Sequence, residues 1–266
     1  MRNGLSPGAW LLAFVRSVLH LLWMVVTIVP WATFAILASV FVSPTRMYWI
    51  CAGWLKTAVN GGQWILGIRN RITGFENLPH GSLDAAVLLV KHQSTWETLV
   101  MPAIMPHPLA YVFKRELLYI PFFGWSMARM DMIHIDRKQG PRAFAKVVQQ
   151  GRRLLKQGNW VIMFPEGTRI PRGGVGNYKS GGTRLAIACG APVVPIAVTS
   201  AKCWPRKSFM LRPGVIDVSI GQAIDSEGRK PEELMNEVKT WIEGEMRRLD
   251  PGAYGPPVPG APKVWG

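Results

Sequence analysis

With 266 residues, 48% of them hydrophobic, the chain is long enough to bury a substantial core and carry an appendage. Its 31 Lys and Arg against 16 Asp and Glu give a formal charge of +15, which suits an anionic partner such as nucleic acid, acidic lipid or an acidic carrier. Cys51, Cys189 and Cys203 form no CxxC pair and no even-numbered framework, which excludes a disulfide scaffold and a zinc site and fits a reduced, cytosol-facing compartment.

The apolar mass lies at the N-terminus. Residues 21–42, LLWMVVTIVPWATFAILASVFV, run for 22 positions without a charge. A bilayer needs roughly 20 such residues, and a soluble core helix would show a polar face. Pro30, at the midpoint, predicts a kink or a break. Three readings compete: a kinked single span, a helical hairpin dipping into one leaflet, and a cleaved signal peptide. The run is too long for the third, and no small-residue cleavage site follows it. Basic residues flank both sides (Arg2 and Arg16; Arg46, Lys56, Arg69 and Arg71), a pattern that a hairpin with both ends cytosolic satisfies. Trp10, Trp23, Trp31, Trp49, Trp54 and Trp64 suit an interfacial belt as a group, although packing explains any one of them.

From about residue 70 strand and helix signals alternate. Strands are predicted at 85–90, 109–113, 132–135, 159–164, 192–198 and 215–220. Helices are predicted at 141–158, at 182–190 and at 231–249, the last opening on Pro and Glu and closing on Arg. The pattern predicts an α/β fold, with a mixed, largely parallel central sheet flanked by helices and an N-terminal apolar helical membrane anchor. The expected divisions are an anchor at 1–60, a catalytic-sized domain at 61–249 and a disordered Pro/Gly-rich tail at 250–266.

Within this frame the stretch KHQSTWET (91–98) follows a buried strand, where α/β folds place ligand-binding loops. Two readings of Glu97 stand side by side. Ser94-x-x-Glu97 is a capping box if a helix begins near Ser94. Alternatively, Glu97 holds one ring nitrogen of His92, fixes its tautomer and raises the basicity of the other. Five residues turn a helix by about 500°, so the pair meets only with His92 in the preceding loop and Glu97 in the first turn. Such a couple suits a general base acting on an attacking hydroxyl. No serine or cysteine nucleophile pairs with His92, which favours direct transfer over a covalent intermediate; capping is the better role for Ser94. Further on, FPEGTR (164–169) leaves a strand through a Pro/Gly turn that projects Glu166 and Arg169, a fork suited to phosphate. The bland alternative is a local Glu–Arg pair. Arg172, Lys179 and Arg184 follow nearby.

With these blocks in order, the chain resembles the glycerophospholipid acyltransferases over about residues 70–220, and within them those that acylate lysophosphatidic acid in bacteria. The family's first block, Asn-His-x4-Asp, stands here as Lys91-His92-QSTW-Glu97. The second stands as Lys114-Arg115-Glu116-Leu117, Pro121-FF-Gly124 and Ile135-Asp136-Arg137. The third is FPEGTR, matched in full, and the fourth is Val193-Val194-Pro195-Ile196. Lys91 for Asn and Glu97 for Asp are departures. The resemblance implies acyl transfer from acyl-CoA or acyl carrier protein to the sn-2 hydroxyl of lysophosphatidic acid, with no metal or cofactor, at the cytosolic face of a bacterial inner membrane. By the same resemblance His92 is the base and Glu97 its orienter. Arg169 and Lys114 take the acceptor phosphate, Glu166 positions the glycerol, and Gly167 and Thr168 complete the turn. Arg137 and Lys179 stand as further anion ligands. Other lysophospholipid or lyso-aminolipid acceptors, and a non-catalytic lipid-binding protein, remain as alternatives. Nucleic-acid binding is excluded by the long apolar segment and by the lack of a recognition motif.

Overall fold

The apolar runs at 85–90, 159–164 and 192–198 become the middle of a sheet. The structure is a computed structural model describing residues 6–81, 84–120, 123–135 and 141–255. Among these, seven strands form one sheet: β1 (Ile68–Thr73), β2 (Val87–Val90), β3 (Leu109–Lys114), β4 (Ile133–Ile135), β5 (Trp160–Met163), β6 (Val193–Val198) and β7 (Gly214–Ile220). Their order is β1-β7-β6-β2-β5-β3-β4. All neighbours pair parallel except β6 and β7, so the sheet is mixed and largely parallel, as the sequence predicts.

Central strands covered on both faces need apolar residues at every position. Alternate side chains of β2 sort accordingly: Leu88 and Val90 enter one core, Val87 and Leu89 the other. The first core is closed by α2 (Pro44–Gly61) and α3 (Trp96–Ile104). The second is closed by α5 (Pro141–Lys156), α6 (Gly181–Cys189) and α7 (Pro231–Leu249). Gly182 lets α6 lie close on β2, since a Cβ there would come 2.4 Å from Leu89 Cδ2. The remaining helices are α1 (Pro7–Ala38), α4 (Phe123–Ala128) and α8 (Pro251–Tyr254).

The sequence reading misses β1. IRNRIT carries two arginines, and only Ile68 is buried, so this edge strand lacks an apolar pattern. Of the kink or break expected at Pro30, the break does not occur, and α1 runs through it as one helix. The reversal falls at residues 39–43 instead, and α2 returns antiparallel to α1. Indole N–H groups tie the two helices together: Trp23 to the Thr57 carbonyl, Trp54 to Thr27 Oγ1 and Trp31 to the Ile50 carbonyl, the last at 2.9 Å. For these three tryptophans, packing is what the structure shows. The proposed boundary at residue 60 cuts a packed unit, because Tyr48, Ala52 and Val59 of α2 belong to the same core as β2 and β6.

The first residues of the expected disordered tail are ordered. Residues 251–254 form α8, Arg172 donates two 2.7 Å hydrogen bonds to Asp250, and Gln93 Nε2 donates to the Tyr254 hydroxyl. Residues 256–266 of that expected tail lie outside the described residues.

Candidate active site

Strands β6, β2 and β5 are adjacent and parallel, so their C-terminal ends open on one edge of the sheet. β2 delivers Lys91 to Ser94, β5 delivers Phe164 to Arg169, and β6 delivers Thr199 and Ser200. Residues 72 positions apart in the chain, His92 and Phe164, thereby stack with ring centroids 3.9 Å apart. The backbones of the two loops are joined as well: Ile170 N–H donates to the His92 carbonyl at 2.8 Å.

Glu97 takes the capping role and lies near His92 without holding it. It is fully buried in the first turn of α3 and accepts from the Gln93 and Ser94 backbone N–H groups, as a capping carboxylate does. It also accepts from the hydroxyls of Ser94 and Ser200. Its Oε2 lies 3.8 Å from His92 Nδ1, close but beyond hydrogen-bond distance. His92 Nδ1 is buried and has no hydrogen-bond partner among the described residues. Burial pushes Glu97 up to about 7, against the pull of its donors, Ser200 first. At this separation no Glu97 hydrogen bond offsets the groups that oppose a proton on the ring. Burial, and then the Arg169 guanidinium, lower His92 to about 4.

Glu166 also departs from its expected role. Its carboxylate is buried, with Oε1 accepting from Lys91 Nζ at 2.7 Å and Oε2 from the His92 backbone N–H at 2.8 Å. Both oxygens serve the protein itself, so it orders the loop instead of facing glycerol. Gly167 turns the chain at φ 65°, a left-handed conformation natural to glycine. Thr168, Arg169 and Lys179 are exposed beside it, with the Lys179 amine against Gly167. Arg206 donates to the Arg169 carbonyl. Lys114 ends β3, the neighbour of β5, on the same edge. Arg137 lies outside the described residues. Of the other nearby cations, Arg172 is taken by Asp250, and Arg184 lies over the Phe144 ring. Among the described residues no three His, Cys, Asp or Glu side chains converge into a metal-ligating group.

Sequence reasoning missed Lys91 as the centre of an ion cluster, its partner Glu243 on α7, and Ser200. Lys91 carried a signal: a lysine closing a strand as apolar as VLLV must enter the core, and a buried ammonium needs a carboxylate.

A family model for acyltransferases matches residues 69–199. A 1-acyl-sn-glycerol-3-phosphate acyltransferase from Pseudomonas aeruginosa is 39% identical over 89% of this chain and 92% of its own length. The chain belongs to the acyltransferase family. It is also 33% identical to a chloroplastic 1-acyl-sn-glycerol-3-phosphate acyltransferase of Arabidopsis thaliana, over 66% of this chain and 48% of that protein. The fold matches the crystal structure of a 1-acyl-sn-glycerophosphate acyltransferase from Thermotoga maritima with TM-score 0.74, over 90% of this chain and 98% of that one, at 22% identity. The family read from the four sequence blocks is therefore borne out. In this acyltransferase the His92 loop and the FPEGTR turn meet at the C-terminal edge of the sheet.

Proposed function

We propose that the enzyme transfers an acyl group from a thioester donor to the sn-2 hydroxyl of 1-acyl-glycerol-3-phosphate, forming phosphatidic acid. The observation that carries this is the joining of the His92 loop to the FPEGTR turn through Glu166 and Ile170. It sets a neutral imidazole beside an exposed guanidinium, the pair of groups that an alcohol bearing a phosphate requires. The names of the relatives support the same acceptor.

In the reaction His92 Nε2 takes the hydroxyl proton as the oxygen attacks the thioester carbonyl. The tetrahedral adduct expels the thiolate, which recovers that proton from the imidazolium. Glu97 stabilises the imidazolium from the Nδ1 side, where a movement of about 1 Å makes the hydrogen bond; such contacts commonly tighten only with substrate bound. Arg169 takes the acceptor phosphate, with Lys179 and Lys114 beside it and Arg137 as a further anion ligand; Gly167 and Thr168 shape the turn. The donor is acyl-CoA or acyl carrier protein, and both are anionic. The protein works from the cytosolic face of a bacterial inner membrane, with the α1–α2 hairpin seated among the lipids. Expected of purified protein with lysophosphatidic acid and labelled acyl-CoA or acyl carrier protein is labelled phosphatidic acid, absent in His92→Ala. No product with either donor sinks the reading.

A further inference from the structure

One fully buried charge at the site is not used by the chemistry above. Lys91 immediately precedes His92, and its side chain is 0% exposed. Three acceptors match its three protons: Glu166 Oε1 and Glu243 Oε1, each at 2.7 Å, and the Gly174 carbonyl at 3.2 Å. Tyr178 donates its hydroxyl to the same Glu243 oxygen at 2.7 Å. The amine also lies 5.8 Å from the Tyr178 ring centroid and 6.0 Å from that of Tyr254. One ammonium thus joins the end of β2, the turn after β5 and helix α7.

We propose that Lys91, together with Glu243, is a positioning residue for His92: the buried ammonium orders Glu166, and Glu166 holds the backbone from which the His92 ring projects. This rests on the reading of His92 as the base. Buried ion pairs are poor net stabilisers, and an apolar group of similar volume often serves a core as well. Stability therefore gives little reason for a lysine here, whereas the geometry gives one. Glu166 has two oxygens, one on Lys91 and one on the His92 N–H. The ring itself has no partner at Nδ1 among the described residues and is held by stacking on Phe164 and by the main chain. Its aim is set from the backbone side, so whatever fixes Glu166 fixes the base. Gly176 belongs to the same device, because a Cβ there would lie 2.8 Å from Glu166 Oε1.

The test uses the full-length protein in detergent–lipid micelles, with steady-state kinetics and NMR of labelled histidine rings. Lys91→Met keeps the length and removes the charge. Displacement of a catalytic group by about 1 Å can cost on the order of 100-fold, so a kcat lowered about 10- to 100-fold is expected, with acceptor KM within about twofold. The His92 ring signals should shift or broaden. Lys91→Met/Glu243→Met should be no worse than Lys91→Met alone, as members of one unit are non-additive. Full kcat in folded Lys91→Met, a rise in KM alone, or additive losses would each overturn the proposal. Should Lys91→Met fail to fold, the isosteric Glu243→Gln must lower kcat several-fold at unchanged KM, and an unchanged kcat overturns the claim. A wild type inactive with every donor overturns the proposed reaction instead. The ring signals then decide the positioning claim, and unchanged signals in the variants refute it.

Discussion

Burial and the Arg169 guanidinium both oppose a proton on His92 and hold its pKa at about 4. An ordinary histidine, with a reference of about 6.5, is about 90% protonated at pH 5.5; at a pKa of about 4 only about 3% is. The sign is therefore clear: in the free enzyme the imidazole is neutral above about pH 4 and is protonated only below it. Histidine NMR of the acceptor-free protein should give a midpoint near 4 for His92, and a midpoint of 6 or above would refute this. Bound phosphate reverses part of the effect. On the proposed reading, a dianion on Arg169 cancels its field at the imidazole, so acceptor binding should make His92 a better base. Arg169→Ala separates the two roles: acceptor KM should rise about tenfold or more, from loss of a charge-assisted hydrogen bond, while the free-enzyme pKa of His92 moves up. An unchanged KM removes Arg169 from the phosphate site.

At the scale of elements, what was legible in the sequence was what is local. His92, Glu97 and the FPEGTR turn announce themselves by spacing within a few residues, and β2, β5 and β6 by unbroken apolar runs. The partners of Lys91 do not, because Glu166 lies 75 positions away and Glu243 152. Edge strand β1 was missed for a different reason, since pairing with β7 alone leaves most of its side chains outside the core. The C-terminus was misread because composition speaks only for the bulk of a segment. A Pro/Gly-rich stretch still holds one tyrosine placed to meet the catalytic loop. Gln93 is buried, and its amide donates to Tyr254 while its carbonyl accepts from Ala201 N–H. Tyr254→Phe strands that buried donor. Denaturant unfolding at fixed detergent should show a loss of about 1–3 kcal/mol. An unaltered unfolding curve would mean that α8 is not a fastener of the loop.

On the proposed reading the molecule as a whole has two ways to hold a lipid surface, and they respond differently to salt. A charge of +15 attracts anionic headgroups, but that attraction fades once the screening length falls to about 3 Å at 1 M salt. Apolar burial does not fade. Helix α1 has an 18-residue window with only 11% of its residues buried. Leu11, Leu22, Val26 and Val29 lie within one narrow stripe of the helical wheel and are 58%, 54%, 68% and 55% exposed. At the hairpin turn Val40 and Phe41 are 68% and 87% exposed. In water this surface is a liability, whereas in a bilayer each such half-exposed side chain gains about 1–2 kcal/mol. The opposite face of the hairpin is fastened to the catalytic core, where Leu211 N–H donates to Ser17 Oγ at 2.9 Å. Substituting the four stripe residues with glutamine should spare that fastening and the cooperative unfolding, yet weaken binding to zwitterionic vesicles in 1 M salt at least tenfold. Neutralising surface cations such as Lys207 and Arg212 should instead weaken binding only to anionic vesicles at low salt. Equal vesicle binding by the glutamine variant in flotation at high salt would show that the stripe does not face lipid, and the charge would then have to account for the whole attachment.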